Sequence, residues 1–235
     1  MLLQDRNAFA NHLIDRLPPA MRRHLVGALE PVELELRQVL VRCGEPLRHV
    51  YFPTSSSFIS QVIPADRGHL EVAIVGSEGM FGVPVALGVE KSNTDAVVQG
   101  AGRALRLDSR AFRAELDRSR PLREAVSRYT YVSMTQLARN AVCNRYHVVE
   151  QRLARWLLMS ADRARSNAFD VTHAFLANML GVRRVGVTQA ARTLQERELI
   201  RYTRGRMVIR DRKGLQKAAC SCYHADLETY RNVFG

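Results

Sequence analysis

Between Val182 and Arg210 the chain gathers side chains suited to holding a polyanion. Arg183 and Arg184 are followed by Thr188, Gln189 and Arg192, then by Arg201, Arg204, Arg206 and Arg210. A guanidinium is a planar fork of donors that fits a phosphate, or the O6/N7 edge of guanine, bidentately.

The elements around these residues have local signals. Thr172 is a good N-cap for a helix over His173–Leu180, and Gly181 follows the last apolar position. A second helix starts near Arg183 and runs to about Glu198. Leu180, Val187, Ala190 and Leu194 would close over Leu176. Helix, glycine turn and helix form the unit whose second helix enters a major groove. Leu199 to Arg210 then reads as two short strands around Arg204-Gly205, a wing whose arginines suit phosphate. Gly214 opens an amphipathic C-terminal helix with Leu215, Ala218, Ala219, Cys222 and Leu227. Gly186 inside the second helix costs about 1 kcal/mol in propensity, a cost that close approach to DNA or to the preceding helix would justify.

Charge agrees with this placement. The 235 residues carry 35 Lys/Arg against 23 Asp/Glu, a formal +12. Residues 1–150 hold 19 against 16, and residues 151–235 hold 16 against 7. Three quarters of the excess therefore sits in the last third, as expected of one basic module on a nearly neutral partner. Hydrophobic residues make up 46%, which argues against a largely disordered chain. No apolar run approaches the ~20 residues that span a bilayer. The first residues, Met1 to Asn7, lack a signal-peptide core. A cytoplasmic protein without a membrane partner is expected.

Upstream, Phe9, Leu13, Leu17, Leu25 and Leu29 recur at helical spacing, interrupted by Pro18-Pro19. From Val32 to about Leu107, short apolar or alternating runs are punctuated by glycine and proline, which implies a β-sandwich, barrel or jelly roll. Pro121 suits the first turn of a long helix reaching about Asn144. Val126, Tyr129, Ser133, Gln136 and Asn140 form a stripe on it. That stripe covers the β domain or pairs with its copy in a dimer, where an Asn can fix register. Another helix, about His147 to Arg163, presents Leu153, Trp156, Leu157 and Ala161.

Phe175 to Thr188, with Leu199-Ile200 and Arg204-Gly205, resembles the DNA-binding domain of Crp/Fnr-type transcriptional regulators. Gly44-Glu45-Pro46 before Val50-Tyr51-Phe52, and Gly76 to Gly82, resemble that family's cyclic-nucleotide-binding-type β-roll. The resemblance covers about residues 7–225. It implies an α+β chain with a jelly-roll-like sensor over 1–118, a dimerisation helix over 119–147 and a winged helix-turn-helix over 148–235. It further implies a homodimer on a palindromic duplex, with RNA polymerase as a further partner. The resemblance places the family's three base-reading positions on Arg184, which would take a guanine, Val185, which offers at most an apolar contact with a thymine methyl, and Gln189, which would pair with an adenine or a phosphate, and it implies phosphate contacts at Arg183 and Thr188. With Thr172, Arg183, Thr188, Arg192, Arg204 and Arg206 these are the expected DNA-binding residues. In its cyclic-AMP binders a Glu and an Arg-Ser/Thr pair hold the ligand. Here Val83 stands at the Glu position, Asn93 at the Arg position and Thr94 beside it. The helix hydroxyl pair falls near Leu137 and Ala138. Gly79, Phe81, Gly82, Val83, Asn93 and Thr94 therefore outline an effector pocket, but not one for cyclic AMP.

No cofactor is expected. The oxygen-sensing branch holds an iron–sulfur centre through an N-terminal cysteine cluster, and no cysteine precedes Cys43. Cys43, Cys143, Cys220 and Cys222 are too few and scattered for a disulfide scaffold. Cys220 and Cys222, two apart on one helix, would point to different faces, so no metal site is assigned. His12, His24, His147, His173 and His224 read as helical surface or capping residues. Two alternatives stand beside DNA binding. A cupin-like metal-dependent enzyme would take His69 and Glu71 from one strand face, with His49 or Glu78. A ligand-binding roll could carry a helix-turn-helix that does not bind DNA. No Ser-His-Asp pattern, Walker loop or paired carboxylate suggests catalysis, so the chain is not expected to be an enzyme.

Overall fold

The computed structural model describes residues 10–54, 56–66 and 68–235; Phe9 and the first residues lie outside them. Two compact units emerge, one running to Gln61 and again over Ile74–Tyr131, the other comprising Val62–Ala73 and Val132–Gly235.

The first unit opens with two short helices, α1 (His12–Asp15) and α2 (Pro19–Ala28). Pro19 sits at the first position of α2, where its missing N–H costs nothing. Buried Asn11 caps α1 through Oδ1, which accepts from Leu13 N and Ile14 N. Its amide donates to the carbonyls of Pro53 (2.9 Å) and Gly79 (2.8 Å).

Seven strands follow: β1 (Glu30–Leu34), β2 (Val39–Val41), β3 (His49–Pro53), β4 (Phe58–Ala65), β5 (Gly68–Val75), β6 (Asp95–Gly100) and β7 (Gly102–Asp108). They form one sheet ordered β1-β7-β3 and another ordered β2-β6-β4-β5. This is the expected β-roll. Val50, Phe52, Ile59, Ala96, Val98 and Ala104 are fully buried in it. Before β6 comes a single helical turn, α3 (Val83–Ala86), and after β7 comes α4 (Ser109–Arg118). Asp108 caps α4 by accepting from Arg110 N at 2.8 Å and Ala111 N at 3.1 Å.

The long helix α5 spans Arg120–Tyr146. Its predicted stripe faces inward. Val126 and Tyr129 are buried, and the Tyr129 ring occupies the space that a Cβ on Gly79 would fill. Asn140 donates to the carbonyl of Val72 at 2.5 Å. The stripe therefore covers the chain's own β elements rather than forming a seam between copies. A different set, Tyr131, Met134, Leu137, Val142 and Tyr146, is left exposed on α5.

The second unit continues with α6 (Val149–Ala164), β8 (Ala168–Asp170), α7 (His173–Leu180), α8 (Arg184–Glu196), β9 (Ile200–Thr203), β10 (Arg206–Ile209), α9 (Arg212–Ala218) and α10 (Cys222–Phe234). Helix α6 packs against α7, α8 and α9. Leu153, Leu157, Leu158, Leu176, Val187, Leu194, Met207 and Leu215 are fully buried there. The expected single C-terminal helix is in fact two. Ala219 is extended, with φ −70° and ψ 154°, and the chain restarts at Ser221. No described helix is long and apolar enough to cross a membrane.

Candidate nucleic-acid interface

Helix α7 begins and ends where its sequence dictates. Thr172 Oγ1 accepts from Phe175 N at 3.1 Å. Gly181 takes the left-handed conformation, φ 60°, and its N–H returns to Ala177 and Asn178. Val182 N donates to the Ala177 carbonyl at 3.0 Å, and these bonds satisfy the last carbonyls of the helix. The chain is thereby turned into α8, with Arg183 at its N-cap.

Helix α8 is divided by its 3.6-residue period. Val187, Ala190, Ala191 and Leu194 are buried. Arg184, Val185, Thr188, Gln189 and Arg192 are exposed, at spacings that put them on the opposite face. Val185 is 70% exposed. Gly186 has open space, since an added Cβ would meet only Val149 Cγ2 at 4.0 Å. Close packing on the preceding helix does not account for this glycine.

The wing is a three-stranded antiparallel sheet, ordered β8-β10-β9. Strand β8 had no alternation long enough to reveal it. Arg206 pairs with Thr203 and Met207 with Tyr202 in register. Directly opposed residues share a face, so Arg201, Thr203 and Arg206 lie on one side. Ile200, Met207 and Ile209 are buried on the other. The turn has φ 49° at Arg204 and 86° at Gly205, two positive values as in the hairpin turn that fits strand twist. Arg204 and Arg206 are both exposed.

His173 joins these parts, which its sequence context did not reveal. Its ring stacks on Tyr202 of β9, and Nδ1 lies 3.0 Å from Thr188 Oγ1. The Thr188 hydroxyl donates to the Arg184 carbonyl at 3.1 Å. In that arrangement His173 Nδ1 is the donor to Thr188. Burial, then the charge of Arg184, lowers the His173 pKa from its ordinary value. Arg192 is paired with Glu196 at 2.7 Å, both side chains exposed. Such a surface pair is weak enough to exchange for a phosphate.

The residues expected to outline an effector pocket have other surroundings. Gly79 seats the Tyr129 ring, and Gly82, φ 101°, caps α3, which starts at Val83. Phe81 is buried and pairs with Tyr51 through both backbone groups. Asn93 is exposed, while Thr94 is buried with its N–H on Ser92 Oγ. A cavity of about 350 Å³ is lined by Leu40, Val41, Glu45–His49, Tyr51 and Phe81; it shares only Phe81 with the expected set.

Among the described residues, one group of metal-ligating side chains converges: Cys143, His147, Cys220 and Cys222. This corrects the reading of Cys220 and Cys222 as thiols on different faces. The break between α9 and α10 turns both inward, and His147 lies beyond the end of α5 facing them. A hydrogen bond from Cys220, aided by His147 and Arg155, holds the Cys143 thiol well below its ordinary range against burial. Glu71, proposed for a cupin-like set, instead accepts from Trp156 Nε1 at 2.8 Å.

Comparison with known proteins agrees with this geometry. Residues 151–218 match the family model of the Crp-like helix-turn-helix domain. Among solved structures, FixK2 from Bradyrhizobium japonicum is similar with a TM-score of 0.68 and 13% identity, over 82% of this chain and 98% of that one. TTHA1359, a CRP/FNR-family transcriptional regulator from Thermus thermophilus, gives 0.67 and 20%, over 81% and 98%. The c-di-GMP-responsive regulator CLP from Xanthomonas campestris gives 0.64 and 16%, over 82% and 99%. At these identities the likeness is one of fold. Comparison with curated protein sequences finds no match. A β-roll, a long helix and a Crp-like helix-turn-helix follow one another in this order. Residues 151–218 thus form a Crp-like helix-turn-helix domain, and the chain shares its fold with solved Crp/Fnr-type regulators.

Proposed function

We propose that the chain binds a palindromic duplex as a homodimer, in the cytoplasm, and acts on transcription through RNA polymerase. The observation that carries this reading is the two-sided recognition helix. One face is locked into the core; the other offers Arg184, Val185, Thr188, Gln189 and Arg192, with Arg204 and Arg206 exposed on the wing. Arg184 reads a guanine, Gln189 an adenine or a phosphate, and Val185 a thymine methyl. Thr172, Arg183, Arg192, Arg204 and Arg206 hold the backbone.

The exposed side of α5 supports the dimer. Tyr131, Met134, Leu137, Val142 and Tyr146 are large, apolar and unburied, Tyr146 being 74% exposed. A second copy of the same helix would cover them. A signal on the roll would alter that packing and thereby the spacing of the two recognition helices. The signal is not cyclic AMP. Val83 and Asn93 stand where a carboxylate and a guanidinium are needed, and Leu137 and Ala138 replace the hydroxyl pair. We assign the chain no catalytic activity.

Selection from random duplexes with the full-length protein tests this. The expected consensus is two-fold symmetric, with half-sites about one helical turn (~10 bp) or a multiple apart. Absence of enrichment, or an asymmetric single site, would overturn it.

A further inference from the structure

We propose that Cys143, His147, Cys220 and Cys222 form a structural zinc site that fastens the end of the long helix to the C-terminal helix. The four ligand atoms all lie within 4.8 Å of one another, and the three cysteines are buried. Cys143 and Cys220 sulfurs are 3.5 Å apart, and Cys222 Sγ is 3.6 Å from His147 Nδ1. With Zn–S of about 2.3 Å and Zn–N of about 2.0–2.1 Å, a tetrahedron has edges of about 3.8 Å between sulfurs and about 3.6 Å between sulfur and nitrogen. These two contacts match such edges, and the remaining ones, within 4.8 Å, need only a small inward movement to close on an ion. Three sulfurs and one imidazole are a closed structural set, with no fourth position left for water.

The backbone is arranged for this set. Cys143 and His147 are four apart, and His147 N donates to the Cys143 carbonyl at 3.1 Å, so one helical face carries both. Cys220 and Cys222 are brought together by the break at Ala219–Ser221, for which two adjacent alanines give no local cause. The surroundings supply countercharge. Three thiolates on a dication leave one net negative charge. Arg155 stands beside Cys143, and Arg152 lies near Cys143 and Cys220. Arg155 Nε is buried with no hydrogen-bond partner among the described residues. Its Nη2 donates to Asp226 at 2.6 Å, and Asp226 also accepts from Arg139 at 2.5 Å. Asp226 of α10 thus ties α5 and α6 together just outside the cluster. Outer groups of this kind orient and tune metal ligands. Single-ion binding follows from the compactness of the set; several irons would spread the sulfurs further apart.

The test uses the full-length protein, purified under reducing conditions without added metal. About one zinc per chain is expected by elemental analysis, released when the thiols are blocked by a mercurial. Cobalt(II) exchanged into the site should give thiolate charge-transfer bands and the visible bands of a tetrahedral ion. Cys222→Ser and His147→Ala should lose most of the zinc, and Cys43→Ser should keep it. Cys222→His restores four donors and should retain zinc in a folded chain by circular dichroism. That variant and the wild-type cobalt spectrum decide the matter even if the serine variant fails to fold. A folded wild-type chain with no zinc and no cobalt spectrum would overturn the proposal. So would a Cys143–Cys220 disulfide in freshly isolated protein, or an iron–sulfur chromophore.

Discussion

The His173 imidazole lies flat on the Tyr202 ring, with centroids 4.3 Å apart and 18° between planes. One side chain at the start of α7 therefore supports the first wing strand and, through Thr188 at 3.0 Å, the recognition helix. The presented face of α8 and the wing are held in one arrangement by a ring whose charged form is disfavoured by burial and by Arg184.

Because burial and Arg184 depress the His173 pKa, the unfolded chain takes up this proton more readily. Stability from this group is then present above the ordinary value of 6.5 and is lost as pH falls below it. His173→Phe keeps the stack without the proton. Thermal melts at pH 7.5 and pH 5.5 should show a smaller acid-induced drop in the variant than in the wild type. Equal drops would place the pH sensitivity elsewhere.

Arg184→Ala removes the base-reading fork from an exposed position, so the fold should be unaffected. Affinity for the selected site should fall by about 1–3 kcal/mol, with relaxed preference at one base pair. Competition against single-base variants of the site measures this. An equal loss on selected and random duplex would make Arg184 a phosphate contact only.

Arg204→Asn separates turn from charge. Asn is favoured before Gly when both turn residues have positive φ, so the melting temperature should hold or rise. Binding should weaken uniformly across sequences, with the salt slope reduced by about 1. An unchanged salt slope would remove Arg204 from the interface.

Gly186→Ala fills open space in α8 and restores about 1 kcal/mol of helix propensity. A higher melting temperature is expected. If the glycine serves close approach to DNA, the stabilised protein binds its site more weakly; unchanged affinity would show that the backbone there stays clear of the duplex.

The first helix of the helix-turn-helix was legible to the residue and the second to within about two residues at its end, because Thr172, Gly181 and the apolar period of α8 are local signals. The hairpin turn at Arg204-Gly205 was legible for the same reason. What escaped was decided by tertiary structure. Val126, Tyr129 and Asn140 have the spacing of a seam, yet spacing does not say which surface a stripe meets. The partner proved to be the chain's own glycine at 79 and the Val72 carbonyl. Strand β8 is only Ala168–Asp170, too short to show a period. Ala218-Ala219 reads as continuous helix; the break that brings Cys220 and Cys222 to Cys143 has no propensity signal at those alanines.

The central claim is that an arginine-bearing face of α8 and the wing neutralise duplex phosphates. The affinity of the full-length protein for its selected duplex, measured across salt concentrations, tests it most directly. Log affinity should fall linearly with log salt, with a slope of about −0.9 per phosphate neutralised and several phosphates in all. A flat response, or no duplex binding at low salt, would contradict the account.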